Sequence, residues 1–344
     1  MHELTLVIEP FTLFRIFYIS FLSLFISLSL TPLITTILFK YKVWKKSRFD
    51  TITGEKSEII KSLQEEKHKN PLPTMAGVLI WFPVSIVTLI FNLDRRETWI
   101  PLFTLFGAGI LGLVDDFLNV FPRKRIGLSW FQKILISTII SGIGGWWFYF
   151  KLEFSSIHIP AFGDVDLGIF YIIFFIFVLV ATANAVNITD GLDGLAGGLS
   201  VMIYICFGFI SYFKGLENLA IFCFAISAST LSYTWFNVFP ARFLMGDTGS
   251  LSLGMTLGVV AMLSNSELIL PIAGIIFVAE LLSSAIQIFS KKVFGKKVFK
   301  VAPFHHHLQA LGWPETRVTM RLWLLGGAFS VVGIIVGLIG GGIF

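Results

Sequence analysis

The feature that most constrains this chain is the recurrence of apolar stretches close to twenty residues long, divided by short polar connections. A bilayer's hydrocarbon layer is about 30 Å thick and takes roughly 20 residues of α-helix to cross. Ten such stretches fall near residues 12–39, 74–92, 99–117, 130–149, 167–187, 195–213, 219–236, 251–264, 269–290 and 321–341. With 55% hydrophobic and only 14% charged residues, the chain is far too apolar for an ordinary soluble domain. The pattern predicts an all-α integral membrane protein, a single polytopic domain over residues 1–344 with about ten transmembrane helices. The eighth stretch is short, which predicts a tilted helix or one partly buried by its neighbours. No cleavable signal peptide is expected, because the first apolar stretch runs unbroken from about Phe11 to Phe39. Cys206 and Cys223 both lie in apolar segments and read as small core fillers, not as a disulfide or a thiolate metal site.

Orientation follows from the positive charges. Of the 26 Lys and Arg residues, 19 lie in the connections after the odd-numbered stretches and 4 in those after the even-numbered ones; Arg15, Lys133 and Arg321 lie inside stretches. Short loops rich in Lys and Arg stay in the cytoplasm, so the odd connections are expected there and both termini on the periplasmic side. The formal net charge of +5 is modest and points to no nucleic-acid partner.

The residues able to do chemistry gather at the same connections. They are His68-Lys69 with Pro73-Thr74-Met75, Asp115-Asp116, the run Asn184 to Asp193, the run Asn237 to Ser250, and His305-His306-His307. Each falls at an odd connection or its membrane boundary, which predicts one cleft on the cytoplasmic face. A carboxylate costs roughly 2.5–3.5 kcal/mol at membrane depth, so the pair Asp115-Asp116 needs a cation or a shared proton beside it. A solvated helix end near Arg123, Lys124 and Arg125 is the bland alternative for that pair.

Asn184, Asn187 and Asp190 recur at a spacing of three, which places them along one helix face until Gly191 stops the helix, with Asp193 following. In Gly246-Asp247-Thr248-Gly249-Ser250 the glycines allow close approach of a phosphate, and the helix that follows offers free amides to an anion. One hard carboxylate together with substrate phosphates is the usual demand of Mg²⁺, which Asp247 could meet; an Asx turn capping a helix accounts for the same residues equally well. Three successive histidines cannot all face one way, so His305-His306-His307 points to phosphate contact and not to a three-histidine zinc site.

Taken in order, Pro73-Thr74-Met75, Asp115-Asp116-Phe117, Asn184 to Leu195, Trp235-Phe236-Asn237 with Pro240-Ala241, Met245 to Leu251, and Ala302-Pro303-Phe304-His305-His306-His307 resemble the polyprenyl-phosphate N-acetylhexosamine-1-phosphate transferases. The resemblance extends from about Lys69 to Arg321. The histidine string followed by Gly312-Trp313 and Glu315 is similar to the branch whose donor is UDP-N-acetylmuramoyl-pentapeptide. The resemblance implies a Mg²⁺-dependent homodimer of ten-helix subunits in the bacterial inner membrane. Its reaction would transfer the phospho-sugar to undecaprenyl phosphate and release UMP, the first membrane step of peptidoglycan biosynthesis.

Under that resemblance Asp115, Asp116, Asp247 and His306 are the expected catalytic residues, with Asp247 the principal metal ligand and Asp115 the base for the lipid phosphate. Lys69, Thr74, Lys133, Asn184, Asn187, Asp190, Asp193, Asn237, Ser250, His305 and His307 are the expected substrate-binding residues. The chain departs from the family pattern at Pro71-Leu72, at Asn119 where a Lys is usual, and at Gln309 where a Glu is usual. Two other readings remain open here: a transferase for a different UDP-hexosamine, and a transporter, which would carry its polar residues near the bilayer midplane.

Overall fold

The computed structural model describes residues 10–44, 71–121, 127–160 and 162–340. The helices in chain order are α1 (Pro10–Lys40), α2 (Val78–Phe91), α3 (Trp99–Val120), α4 (Trp130–Lys151), α5 (Phe170–Thr189), α6 (Leu195–Phe213) and α7 (Glu217–Asn237). They continue as α8 (Gly246–Leu263), α9 (Leu270–Ala273), α10 (Ile275–Phe294), α11 (Phe304–Ala310) and α12 (Glu315–Gly340). Helix occupies each of the ten apolar stretches, and six of the described helices are long and apolar enough to cross a membrane: α1, α3, α5, α6, α7 and α12.

Three details differ from the sequence expectation. The connection between α4 and α5 carries a small antiparallel hairpin, β1 (Ser156–Ile159) with β2 (Gly163–Asp166), pairing Ser156 with Asp166 and His158 with Asp164. Strands of four residues are too short to register against long apolar stretches. The ninth stretch is broken at Gly274 into α9 and α10. Helix α8 starts at Gly246, so Asp247 and Ser250 lie in its first turn and not in a preceding loop.

Every residue of α8 is buried, from Gly246 to Leu263. It packs chiefly against α3 and α5, with α2 and α6 adding smaller contacts. Lipid tails are as apolar as leucine, so helices in a bilayer associate through close backbone approach and interhelical hydrogen bonds. Gly112 of α3 shows the first: a Cβ there would lie 2.0 Å from the Asp247 carbonyl oxygen. The second appears around α2, where Pro83 has no N–H for the Leu79 carbonyl four residues earlier. Ser27 of α1 and Ser229 of α7 both donate to that oxygen, at 2.8 and 2.9 Å, so the proline's defect becomes a three-helix joint.

The end of the bundle away from the sequence motifs has its own polar ties. Thr12 donates to Glu217 at 2.8 Å, and Arg15, the charge inside the first stretch, reaches Asn218 at 3.0 Å and Asn92 at 3.3 Å. Glu97 accepts the Asn218 and Leu219 amides at the start of α7, an acid at a helix N-terminus; burial nevertheless holds its pKa above the ordinary value.

Candidate active site

Four helix ends meet at the opposite end of the bundle. The last turns of α3 supply Asp115, Asp116 and Asn119; the first turn of α4 supplies Lys133; the last turn of α5 supplies Asn187; the first turn of α8 supplies Asp247, Thr248 and Ser250. A Ser129–Gln132 capping box fixes the start of α4, so Lys133 emerges at a set angle one residue later.

The Lys133 ammonium bridges the site, 2.7 Å from Asp115 Oδ2 and 2.5 Å from Asp247 Oδ2. Asp115 also accepts from Asn119 Nδ2 at 2.8 Å and from the Leu128 amide at 2.7 Å. Asn119, a departure from the family's usual lysine, thus orients the carboxylate by a neutral hydrogen bond. Asp116 turns the other way. Its Oδ2 accepts both the amide and the hydroxyl of Thr248, at 3.0 and 2.8 Å, and so pins the start of α8. Asn187 donates to Asp247 Oδ1 at 3.2 Å and to Ser250 Oγ at 2.8 Å, which ties α5 to the same turn. Gly246 has a left-handed φ of +70°, and a side chain there would strike Asp116 Oδ2 and Thr74 Oγ1. Thr74 is fully buried, and its hydroxyl finds no hydrogen-bond partner among the described residues.

Oxygens of Asp115, Asp116 and Asp247 all lie within 4.8 Å of one another, and all three residues are buried. A small divalent cation that prefers oxygen donors fits this set, since it asks for few carboxylates and leaves positions for phosphate or water. The Thr74 hydroxyl beside Asp116, unpartnered among the described residues, is a further oxygen donor at the same place.

The remaining expected residues are placed differently. Asp193 accepts the Ala241 amide at 3.0 Å, and its own amide donates to Glu315 of α12 at 2.8 Å. Asn237 accepts the Gly194 amide and donates to the Phe243 carbonyl. Both side chains therefore tie loops to one another. Asn184 donates to the Val180 carbonyl of its own helix, and Asp190 caps the end of α5 half-buried. In α11, His305 is 1% exposed and its Nδ1 lies 2.9 Å from Glu280, whereas His306 and His307 are half-buried, with Nδ1 atoms on Gln309 and on the Lys300 amide. Lys69, His68 and Arg123 to Arg125 lie outside the described residues. Sequence reasoning missed Asn119 as a partner of Asp115, Thr248 as a partner of Asp116, and Glu280; only Glu280 left a signal, a lone carboxylate inside an apolar stretch.

A family model for glycosyl transferase family 4 matches residues 98–265, the span holding the Asp motifs and Lys133. The phospho-N-acetylmuramoyl-pentapeptide-transferase of Clostridium perfringens strain 13 is 38% identical over 317 residues, covering 91% of this chain and 94% of that protein. The chain belongs to the phospho-N-acetylmuramoyl-pentapeptide-transferase family. Its relative of that name in Geobacillus sp. strain WCH70 is 37% identical over 91% of this chain and 95% of its own length. The one in Oceanobacillus iheyensis is 39% identical over 79% and 85%. The aspartate cluster of Asp115, Asp116 and Asp247 lies within the span that the family model matches.

Proposed function

We propose that this chain transfers phospho-N-acetylmuramoyl-pentapeptide from its UDP carrier to undecaprenyl phosphate, releasing UMP, with the Lys133-bridged aspartates as the reaction centre. The observation that carries the reading is one ammonium held between Asp115 and Asp247 at a buried helix junction, in a chain of this family. Every reacting group is a phosphate, so the barrier is mainly electrostatic: an anionic nucleophile must approach an anionic diphosphate. Bound Mg²⁺, held by Asp247 with Asp115 and Asp116 beside it, would neutralise the diphosphate and the charge developing on UMP.

The chain's own groups do the rest. Lys133 is a mobile point charge on a flexible stem, 27% exposed and so able to follow a phosphate oxygen away from the carboxylates. Asp115, oriented by Asn119 and the Leu128 amide, is the base that keeps the lipid phosphate dianionic. That contribution is modest, because the second pKa of a phosphate monoester is already about 6. Direct attack of the lipid phosphate on the donor's β-phosphorus is preferred, since an aspartyl-phosphate intermediate would add a step that this nucleophile does not need. Asp116 works through Thr248, holding the first turn of α8 that carries Asp247.

The proposal includes ten crossings, both termini periplasmic, the cluster facing the cytoplasm of a bacterial inner membrane, and a homodimer. The charge bias supports the orientation, and the meeting of the Asp115-Asp116 and Gly246–Ser250 motifs at one end of the bundle favours a one-sided transferase over a transporter with midplane sites. Purified protein given Mg²⁺, undecaprenyl phosphate and a panel of UDP-sugars should release UMP only with the muramoyl-pentapeptide donor. Equal release with UDP-N-acetylglucosamine would move the chain to a different donor, and no release with any donor would sink the reading.

A further inference from the structure

The sequence reading sets His306 apart from His305 and His307, and the structure divides the run differently, burying His305 alone. His305 is held on two sides and covered on the third. Its backbone amide donates to Glu280 at 3.1 Å, and its Nδ1 lies 2.9 Å from the same carboxylate, with both residues fully buried. A carboxylate accepts, so Nδ1 carries the proton and Nε2 presents a lone pair in the neutral ring. That Nε2 is buried without a hydrogen-bond partner among the described residues, and what covers it is Gly191: a Cβ on Gly191 would stand 2.3 Å from Nε2 and 2.8 Å from Cε1. A buried ring nitrogen with no partner among the described residues calls for an explanation, and here the ring's shape supplies it. The imidazole fills the space that any side chain at residue 191 would occupy.

Residue 191 follows Asp190, which closes α5, and the turn it belongs to leads directly into α6 at Leu195. Further along this turn, Asn237 accepts the Gly194 amide, Glu315 accepts the Asp193 amide, and the Asp193 carboxylate accepts the Ala241 amide. The His305 ring is the contact at its Gly191 face.

We propose that His305 is a positioning residue. Fixed by Glu280, its ring buttresses Gly191 and sets the height of Asp190, and the two half-buried histidines, His306 and His307, are the members of the run that meet the donor. This deepens the donor-site reading given above and rests on it. UMP release by the unaltered protein tests that reading separately, so the two can fail independently.

The test is a double-mutant cycle on the purified full chain, with kcat and the donor KM read from UMP release and folding read from monodispersity and Tm. Asn at 305 keeps a donor where Nδ1 stands and withdraws the far side of the ring. Gly191→Ala alone should cut kcat at least tenfold, because its methyl overlaps the imidazole. His305→Asn alone should lower kcat while holding the donor KM within about twofold, whereas His306→Ala should raise that KM severalfold. In the Gly191→Ala/His305→Asn double variant the methyl has room, and kcat should return to within about threefold of His305→Asn alone. If Gly191→Ala yields no folded protein, the same cycle is read as recovery of monodisperse protein, and rescue by His305→Asn carries the same meaning. Equal damage from Gly191→Ala in both backgrounds, a harmless Gly191→Ala in the unaltered chain, or a tenfold rise in donor KM from His305→Asn would each overturn the proposal.

Discussion

Lys133→Met separates the two jobs assigned to the bridging ammonium. Methionine keeps the apolar stem and removes the charge, leaving Asp115 and Asp247 with ligand oxygens within 4.8 Å of each other and no cation between them. At an effective dielectric constant of about 20, two like charges at that distance repel by roughly 3 kcal/mol. Protonation or a bound cation relieves that repulsion, and the partial exposure of Lys133 lets solvent screen some of it. Two effects of opposite sign follow. Turnover should fall by roughly 10²-fold or more, the usual cost of deleting one preorganised donor to a developing anion. The divalent cation no longer competes with an ammonium for Asp247, so its affinity should rise, by about tenfold and at most about 100-fold if the whole 3 kcal/mol were recovered. UMP release against Mg²⁺ gives both numbers, and Mn²⁺ binding followed by paramagnetic resonance gives the affinity independently of catalysis. A variant that turns over normally, or that binds the cation more weakly than the parent, would refute the idea that ammonium and metal share these carboxylates.

Asp247→Asn should lose activity at all pH values while remaining folded, because it removes a metal ligand and keeps the shape; wild-type turnover at low Mg²⁺ would show the ligand assignment to be wrong. Asp115→Asn should lose turnover at neutral pH and regain part of it at higher pH, where the lipid phosphate ionises unaided; matched profiles for the two variants would instead make Asp115 an electrostatic or metal-binding group. Away from the site, Glu267 is buried between α8 and α9, and desolvation pushes its pKa up to about 7 against the pull of Lys214 and His158. Its folded pKa exceeds the unfolded one, so the native state holds the extra proton between about pH 4.5 and 7, and stability declines as pH rises through that window. Glu267→Gln should remove that slope and raise Tm at pH 8, with a gain of at most roughly 3 kcal/mol; an unchanged slope would show that Glu267 is not its source.

Much of this was legible in the sequence because a bilayer punishes ambiguity. Helices appear at every apolar stretch, and the Asp motifs share one end of the bundle, since long apolar runs and their polar punctuation leave few arrangements. Pairings between distant residues were not legible. Nothing in the string joins Asp193 to Ala241, Asn237 to Gly194, or Glu280 to His305, because each depends on loops folding over one another after the helices have packed. Asn119 read as a defect in a familiar pattern and turns out to hold Asp115. The break at Gly274 and the hairpin at 156–166 were hidden because periodicity averages over more residues than either contains.

How carboxylates from α3 and α8, more than a hundred residues apart, come to share one ammonium follows from the backbone and not from the carboxylates themselves. Two buried acids repel, so their charges cannot draw α3 and α8 together. Gly112 can, because without a Cβ it lets α3 lie directly on the Asp247 carbonyl, and Asp115 and Asp116 follow it by three and four residues, on the same helix face. Asp116 then fastens the contact through Thr248, and Lys133, arriving from α4, neutralises what remains. The order of cause is close backbone packing first, a helix cap second and charge compensation third. The carboxylates are thus fixed by the backbone and by Asn119, Leu128 and Thr248, while Lys133 is the partly exposed group among them; on the proposed function, that ammonium is the one that follows the phosphates as they arrive and leave.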